Sequence, residues 1–338
     1  MNTGEPERKL KVGFVGCGSH ARMAIYPCLR MAPIELCAVC DMIPEKGQEV
    51  GGWFGAQRIY TDHIEMMEQE TLDAIFVVAG PKVHPVVACD ALDRGLHVWM
   101  EKPPALSSAD AIEVVKRSEK AGKHVMVGFM KRFATGYVMA KEAMGDPAFG
   151  TPTMLHCRYT SAPYADEENH VRDFAIHHLD LARFFMGDVS RIYVEKSRIR
   201  DGVLAIAATV KFVNGAVGVL HLGSCEGWFS GGERVTIGGD ETAVIVDNVV
   251  SFQRFPKPAP GREGDAHLKH GTFWEPNWYY PADRNSGLVH QGYAGEVRHF
   301  AESILAGAAP KPDMRDGYEA LRLVEAIIES DGAVVELS

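Results

Sequence analysis

The stretch KVGFVGCGSHA, residues 11–21, decides the fold. Its first five residues form a mostly apolar run that predicts a buried strand, and a helical pattern follows. The glycines between them read G-x-G-x-x-A, in the strand-to-helix context that a dinucleotide-binding loop requires. Gly16 permits the tight turn, Gly18 lets a pyrophosphate approach the backbone, and Ser19 and His20 begin a helix whose free N–H groups face that phosphate. The alternative is a glycine turn that binds no ligand.

The second predicted strand ends at an acidic residue that suits a ribose. Ile34–Cys40 is followed by Asp41, which lies 20 residues beyond Ala21. A carboxylate at this position accepts hydrogen bonds from the adenosine ribose hydroxyls and repels a 2′-phosphate. Because no arginine directly follows Asp41, the sequence favours NAD over NADP.

The first part of the chain alternates short apolar runs with helical patterns, which is typical of βαβ units. Most of these runs are almost entirely apolar, as expected for parallel strands that are buried on both faces. We therefore expect an α/β Rossmann domain, a doubly wound parallel sheet, over residues 1–130. The predicted strands are 11–15, 34–40, 74–78, 96–100 and 125–129, and the predicted helices are 20–31, 44–54, 84–94 and 109–121.

The pattern changes after about residue 150 to runs of period two. Asn214-Gly215 between two such runs predicts a type I′ hairpin. We expect residues 131–338 to form an α+β domain with a large, mainly antiparallel open sheet, and residues 255–290 to form a long ordered loop. The predicted strands are 153–159, 191–199, 204–213, 216–223, 233–238 and 242–246, and the predicted helices are 174–186, 294–305 and 317–330.

Composition and charge exclude several classes of partner. The chain has 338 residues and a formal net charge of −10, without a run of basic residues, so nucleic acid is not an expected partner. No apolar stretch approaches the about 20 residues of a membrane-spanning helix. The polar first residues lack the apolar segment of a signal peptide, so we expect a cytoplasmic protein.

The seven cysteines do not suggest a disulfide framework, because their number is odd and they are spread along a long chain. Cys37 and Cys40 read as C-x-x-C, but residues three apart in a strand point to opposite faces. We therefore expect buried thiols there, and neither a redox pair nor a zinc site.

Lys102 follows the strand predicted at 96–100, within the sequence Glu101-Lys102-Pro103. Ligands of open α/β sheets bind beyond the carboxyl ends of the strands, so this lysine is expected at the ligand crevice. A lysine that is partly desolvated near a cationic nicotinamide has its charged form disfavoured, which makes it a usable proton donor or acceptor. The alternative is an ordinary surface lysine.

Asp173, His177 and Asp180 have the spacing that places three residues on one face of a helix. A carboxylate beside a histidine stabilises the imidazolium and sets the tautomer, as general bases require. The same spacing also suits a metal ion with His170 as a further ligand, but we predict no metal. His178 lies on a different face and is expected to pack or to be exposed.

These pieces, in this order, resemble the Gfo/Idh/MocA family of NAD(P)-dependent oxidoreductases. The resemblance runs over nearly the whole chain. Val78-Ala79-Gly80-Pro81 with His84 is similar to the family's fourth-strand loop, and the run from His97 to Pro103 is similar to its most specific motif. The end of the chain is similar to the family's closing helices at Tyr293, Glu296, Phe300 and Ile304, followed by Gly317-Tyr318-Glu319-Ala320.

The resemblance implies hydride transfer between nicotinamide C4 and a hydroxyl-bearing carbon of a sugar, a cyclitol or a related polyol. Lys102 and His177 would then share the proton transfer, and Asp173 would orient His177 or the substrate. It further implies a homodimer or homotetramer that forms through the sheet of the second domain. The implied cofactor contacts are Gly16, Gly18, Ser19, His20, Asp41, Pro81, His84, Glu101 and Lys102, with Glu101 on the nicotinamide ribose.

The chain departs from the family pattern at two places: Ala79-Gly80 replaces a more usual threonine, and His178 occupies a position that is often acidic. Substrate choice is expected to depend on Arg132, Arg158, Tyr164, His170 and the segment Trp274–Tyr280, with His177 in contact. The two arginines either bind a carboxylate or phosphate or serve as structural ion-pair partners. The alternative functions are a redox-neutral, NAD-dependent glycosidase or lyase, a non-catalytic NAD-binding sensor, and a metal-dependent enzyme.

Overall fold

The structure is a computed structural model that describes residues 8–226, 232–258, 271–276 and 286–337. The chain forms two compact units, Met1–Met130 with Gly292–Leu321, and Lys131–Gln291 with Arg322–Ser338. The single boundary expected between residues 130 and 131 coincides with one junction between the units. The chain changes unit again after residues 291 and 321.

The first unit contains a six-stranded parallel sheet with strand order β3-β2-β1-β4-β5-β6, which confirms the doubly wound Rossmann prediction. Its strands are β1 Leu10–Val15, β2 Ile34–Cys40, β3 Arg58–Tyr60, β4 Ala74–Val77, β5 His97–Glu101 and β6 Val125–Gly128. Its first helices are α1 Tyr26–Leu29, α2 Pro44–Phe54, α3 His63–Gln69, α4 His84–Asp93 and α5 Ser108–Ala121.

Aromatic side chains fill the centre of this sheet because its strands are buried on both faces. Phe14, Phe76 and Trp99 lie on neighbouring strands and are each fully buried. The ring of Phe76 stacks on that of Phe14 at a centroid distance of 5.8 Å and on that of Trp99 at 5.1 Å. This packed layer holds the carboxyl ends of β1, β4 and β5 in register.

The second unit contains a nine-stranded sheet with strand order β14-β13-β12-β11-β7-β10-β9-β8-β15. Only the β7–β10 pair is parallel among the described strands, so the prediction of a mainly antiparallel sheet is confirmed. Its strands are β7 Met154–Thr160, β8 Val189–Arg200, β9 Val203–Phe212, β10 Val217–Gly223, β11 Glu233–Gly238, β12 Ala243–Asp247, β13 Ser251–Phe255, β14 Thr272–Trp274 and β15 Val334–Glu336. Its helices are α6 Thr135–Gly145, α7 Glu167–Asn169, α8 Ile176–Met186 and α9 Ser286–His290; the chain closes with α10 Tyr293–Leu305 and α11 Met314–Glu329.

The hairpin predicted at Asn214-Gly215 connects β9 to β10, but its turn is not the predicted type I′, because Gly215 has a positive φ and Asn214 does not. Gly215 has a φ of +92°, which a glycine adopts without the penalty of a side chain. The side chain of Asn214 accepts a hydrogen bond from the Ala216 N–H at 3.0 Å and closes the turn. This tight connection sets the register of the two strands.

Some local predictions were wrong or incomplete. The short strand β3 and the helix α3 were missed, because three strand residues give too little periodicity to detect. In place of one continuous loop over 255–290, β14 and α9 lie within that range, whereas residues 259–270 and 277–285 lie outside the described residues. In β2, Cys40 is buried as expected but Cys37 is partly exposed, and both are free thiols. Within the described part of the chain, no helix is both long enough and apolar enough to cross a membrane.

Candidate functional site

The glycine-rich loop after β1 has the backbone that the fingerprint predicts. Gly16 has a φ of +105°, and a Cβ on it would lie 2.1 Å from the Val78 carbonyl oxygen. A Cβ on Gly18, by contrast, would meet no atom within 4 Å. Gly16 is therefore required by close packing inside the protein. Gly18 leaves open space beside the backbone, which is what an approaching phosphate needs.

Asp41 is held against this loop by two backbone hydrogen bonds. Its Oδ2 accepts from the Cys17 N–H at 2.7 Å and its Oδ1 accepts from the Ile43 N–H at 2.9 Å. The carboxylate is partly exposed, so each oxygen has a further lone pair for an incoming hydroxyl. The site thus offers an acceptor for ribose hydroxyls and a charge that repels a phosphate at the same place.

His84 joins the loop after β4 to the loop that carries Lys102. Its Nε2 accepts hydrogen bonds from the N–H groups of Ala79 at 3.2 Å and Gly80 at 3.0 Å. Its Nδ1 must therefore carry the proton, which it donates to the Pro103 carbonyl oxygen at 2.9 Å. Burial lowers the pKa of His84, in agreement with this neutral form. These three contacts join the two loops, and the cofactor contact that the resemblance implies for His84 stays a prediction.

Glu101 is the last residue of β5, and its carboxylate contacts both His20 and the backbone of Lys102. The carboxylate is buried, and its Oε1 lies 3.0 Å from Nε2 of His20 in the glycine-rich loop. Its Oε2 accepts a hydrogen bond from the Lys102 N–H at 2.9 Å, just before the cis peptide bond between Lys102 and Pro103. The ring of Tyr293 lies edge-on to that of His20, at 5.9 Å between centroids. Glu101 thus ties the position of Lys102 to that of the glycine-rich loop within the first unit.

In the second unit, His177 and Asp173 lie on neighbouring turns that are not one regular helix. Residues His170–Ala175 form a π-helical turn, and α8 begins after it at Ile176. His177 is 7% exposed, and Asp173 is partly exposed. The wider turn changes the angular relation that the spacing in the sequence suggests, and π-helical turns are frequent at functional sites.

Both candidate substrate arginines are engaged with carboxylates. Arg132 binds Asp180 through two hydrogen bonds, with Nε 2.8 Å from Oδ2 and Nη2 2.6 Å from Oδ1, and the Asp180 side chain is 1% exposed. Arg158 binds Glu226, whose other oxygen lies 3.0 Å from Nε2 of His221. The sequence left open whether the two arginines bind an anionic substrate or serve as structural ion-pair partners, and these contacts favour the ion pairs.

His170 and His178 pack among aromatic rings. Both are fully buried, and burial lowers the pKa of each. The rings of His178 and Phe174 each stack on the ring of Tyr159, with 3.8 Å between centroids in both pairs. His170 lies 5.5 Å from the rings of Tyr164 and Phe174. These environments favour neutral imidazoles with a packing role.

A buried polar cluster beside them has no counterpart in the sequence analysis. Glu233 on β11 accepts hydrogen bonds from Lys131 and from the hydroxyl of Tyr137, and all three side chains are buried. The ammonium of Lys131 also lies 4.7 Å from the ring centroid of Tyr159. Nothing in the spacing of these residues could have revealed this contact, because 102 residues separate Lys131 from Glu233. Across the described residues, no group of three His, Cys, Asp or Glu side chains is arranged to hold a metal ion.

Comparison with protein-family models identifies both parts of the chain. The oxidoreductase family model for an NAD-binding Rossmann fold matches residues 10–129, and the model for the C-terminal alpha/beta domain of the same family matches residues 142–337. The chain belongs to the Gfo/Idh/MocA oxidoreductase family. This confirms the resemblance on which the sequence analysis relied.

Relatives of this Gfo/Idh/MocA member align over almost the whole chain. D-apiose dehydrogenase of Paraburkholderia graminis is 27% identical and covers 98% of this chain and 90% of its own length. Myo-inositol 2-dehydrogenase of Thermotoga maritima is 25% identical and covers 93% of this chain and 94% of its own. With the family match, they make this protein an NAD(P)-dependent dehydrogenase.

Solved structures share the fold. A dehydrogenase from Chromobacterium violaceum superposes with a TM-score of 0.85 at 24% identity, covering 96% of this chain and 95% of that one. Levoglucosan dehydrogenase in complex with NADH and levoglucosan superposes with a TM-score of 0.83 at 19% identity, covering 97% and 99%.

Proposed function

We propose that this family member is an NAD-dependent dehydrogenase whose substrate is an uncharged sugar or cyclitol. The observation that carries the proposal is the Asp41 carboxylate anchored beside the glycine-rich loop, since it supplies the acceptor that a bound ribose requires. The names of two relatives that align over nearly the whole chain, D-apiose dehydrogenase and myo-inositol 2-dehydrogenase, support the substrate class.

Asp41 is also our reason for proposing NAD over NADP. A 2′-phosphate on the ribose would face the carboxylate directly, and like charges at such short range repel strongly. The next two residues, Met42 and Ile43, are exposed and apolar, so they offer no cation to a phosphate. The expected result is a kcat/KM for NAD that is at least about tenfold higher than for NADP, equivalent to about 1.4 kcal/mol.

Lys102 and His177 are our candidates for proton transfer, with Asp173 as the residue that orients His177 or the substrate. NAD, when bound, supplies the hydride acceptor. Lys102 and His177 would take the proton from the substrate hydroxyl as the C–H hydrogen leaves, and would return it in the reverse reaction. The bond from the Lys102 N–H to Glu101 and the His84 contact to Pro103 support this role, because they hold the lysine backbone on both sides.

The arginine ion pairs support an uncharged substrate. A carboxylate or phosphate on the substrate would have to displace Asp180 from Arg132 or Glu226 from Arg158, and each arginine is already neutralised. The Arg132–Asp180 pair is buried, and breaking a buried ion pair leaves an uncompensated charge, which is strongly unfavourable; the Arg158–Glu226 pair is partly exposed, so its exchange costs less. Neutral polyols need no such exchange, so aldoses and cyclitols are favoured over their acid derivatives.

The first experiment is an NADH absorbance assay with NAD and a panel of cyclitols, aldoses and sugar acids, with product analysis by mass spectrometry in the same wells. We expect NADH to accumulate with one or more neutral polyols. Product without NADH would support redox-neutral chemistry instead, and turnover of sugar acids alone would contradict the neutral substrate. The named relatives give these alternatives no support.

A variant pair tests the role of Lys102. Lys102→Met should abolish turnover while NADH still binds, because the substitution removes the ammonium and keeps the length of the side chain. Lys116→Met, on the exposed face of α5, is the matched control and should behave as the wild type. Turnover in Lys102→Met at the wild-type rate would remove the lysine from the mechanism.

We also propose that two copies of the chain associate through the open face of the nine-stranded sheet, as a dimer or within a tetramer. Exposed apolar side chains on three of its strands support this: Met154, Val217 and Val334 are 39%, 43% and 58% exposed. Light scattering should report an assembly for the wild type, and Val217→Asp should weaken it. A wild-type monomer would contradict the proposal. The cytoplasmic location stays a prediction.

A further inference from the structure

Glu296 on α10 is a buried acid that the proposed reaction leaves unused. The residue is 0% exposed, and neither oxygen of its carboxyl group has a hydrogen-bond partner among the described residues. A buried carboxylate without a partner is far more costly than the neutral acid. This environment therefore favours the protonated form of Glu296.

A short series of contacts leads from Glu296 to Glu101. Tyr293 lies one helical turn before Glu296, on the same helix, and its ring contacts that of His20. His20 in turn contacts the Glu101 carboxylate at 3.0 Å. Both glutamates are themselves buried, and the Glu101 charge adds to burial in raising the pKa of Glu296 well above its ordinary value.

The titratable neighbours of Glu296 on α10 and on α1 also have raised pKa values. Burial and the two glutamates raise the pKa of Tyr293, and burial with Glu296 raises the pKa of Cys28 on α1 to about 12. Tyr26, also on α1, donates its hydroxyl proton to the Gly16 carbonyl oxygen at 3.3 Å. These groups are neutral near pH 7, so they add no charge that could offset a second carboxylate.

The cations on α10 and on the elements packed against it are directed elsewhere. Arg22 pairs with Glu49 at 2.8 Å, Arg298 donates to the Met31 carbonyl oxygen at 3.0 Å, and Lys11 on β1 is exposed. The described surroundings of Glu296 therefore favour one negative charge on the two carboxyl groups in place of two.

The hydrogen bonds decide which glutamate carries that charge. Both oxygens of Glu101 are in hydrogen-bonding contact, one with His20 and one with the Lys102 N–H, and such bonds stabilise a carboxylate. Glu296 has no comparable donor among the described residues. The proton is thus more stable on Glu296 than on Glu101.

We propose that Glu296 is a positioning residue that holds this proton, so that Glu101 stays an anion and fixes His20 and the Lys102 backbone. Its effect on cofactor binding rests on the proposed function, in which Glu101 contacts the nicotinamide ribose. Glu296 itself touches neither cofactor nor substrate in this proposal. A neutral group of the same shape at position 296 should replace it, whereas loss of charge at position 101 should not be tolerated.

An infrared difference spectrum tests the protonation state directly in the protein without cofactor. The spectrum of the wild type minus that of Glu296→Gln at neutral pH should contain the C=O stretching band of a protonated carboxylic acid. Glu302→Gln is the matched control, since Glu302 is an exposed acid on the same helix. A Glu296 difference spectrum without the acid band would overturn the proposal.

Glu101→Gln tests the coupling between the two acids. Without the Glu101 charge, the pKa of Glu296 should fall, so the acid band should disappear at a pH lower by about one unit or more than in the wild type. The same titration in the two proteins would overturn the shared proton. This comparison needs no substitution at position 296, so it stands even where Glu296→Gln does not fold.

NADH titration by fluorescence then tests the positioning role. Glu296→Gln should bind NADH within about threefold of the wild type, and Glu101→Gln should bind at least about tenfold more weakly. Equal weakening in both variants would overturn the idea that a neutral group suffices at position 296. A wild type that does not bind NADH would overturn the proposed function, and the infrared results would remain independent of it.

Discussion

Replacing the two glycines of the nucleotide loop separately distinguishes packing from ligand binding. Gly16→Ala places a methyl group 2.1 Å from the Val78 carbonyl oxygen, at a φ of +105°. The left-handed backbone costs about 1–2 kcal/mol for a residue with a side chain, and forcing an extra methyl group into packed backbone costs about 1–3 kcal/mol. The variant should therefore lose about 2–5 kcal/mol of unfolding free energy.

Gly18→Ala is the matched substitution, two residues further along the same loop. Its methyl group meets no protein atom within 4 Å, and its backbone is not left-handed, so the unfolding free energy should change by less than about 0.5 kcal/mol. The methyl group nevertheless occupies the space in which we expect the pyrophosphate. NADH affinity should therefore fall by at least about tenfold, or about 1.4 kcal/mol.

Urea unfolding followed by circular dichroism measures the first effect, and fluorescence titration with NADH measures the second. Wild-type NADH affinity in Gly18→Ala would refute the assignment of this loop to the pyrophosphate. Wild-type stability in Gly16→Ala would refute the packing argument.

Three further outcomes follow from the contacts. Asp41→Ala should reduce the preference for NAD over NADP by about tenfold or more in kcat/KM, because the charge that repels the 2′-phosphate is removed. Asp180→Asn should lower the unfolding free energy by about 3–5 kcal/mol in urea titrations, because it leaves the Arg132 guanidinium buried without its anion; an unchanged midpoint would contradict this. Burial lowers the pKa of His97 from 6.5 to about 4. Between these two pH values the unfolded chain takes up a proton at this histidine and the folded protein does not. The free energy of unfolding should therefore decrease as the pH falls from 6.5 toward 4. His97→Asn should lessen the decrease in urea midpoint between pH 7 and pH 5.

Elements with strong local patterns were predictable. The strand Ile34–Cys40 and the helix Pro44–Phe54 agree with the structure at both ends. The strand is apolar apart from Glu35, and the helix begins with a proline and ends before a left-handed glycine. Ser107 caps α5, with its hydroxyl oxygen accepting from the Asp110 N–H at 3.1 Å, and serine is a preferred residue at this position. A π-helical turn at Ala21–Ile25 precedes the short helix α1, which contains Pro27.

The roles of individual polar residues were far less predictable. Spacing placed Asp180 on one face with His177, yet its carboxylate binds Arg132, which is 48 residues away in the chain. His84 was predicted to contact the cofactor, but its spacing in the sequence did not indicate that its ring joins two loops through three hydrogen bonds. A side chain can choose among partners that are brought near only by the fold, and periodicity carries no information on that choice.

By itself, the sequence determined most of the long strands and helices, the nucleotide loop and the acidic residue that follows β2, because these depend on local backbone preference and on hydrophobic period. The tertiary structure alone decided the charge state and partners of buried groups such as Glu296, Glu101 and His84. Those properties depend on desolvation and on charges from distant parts of the chain, which act only once the polypeptide has folded.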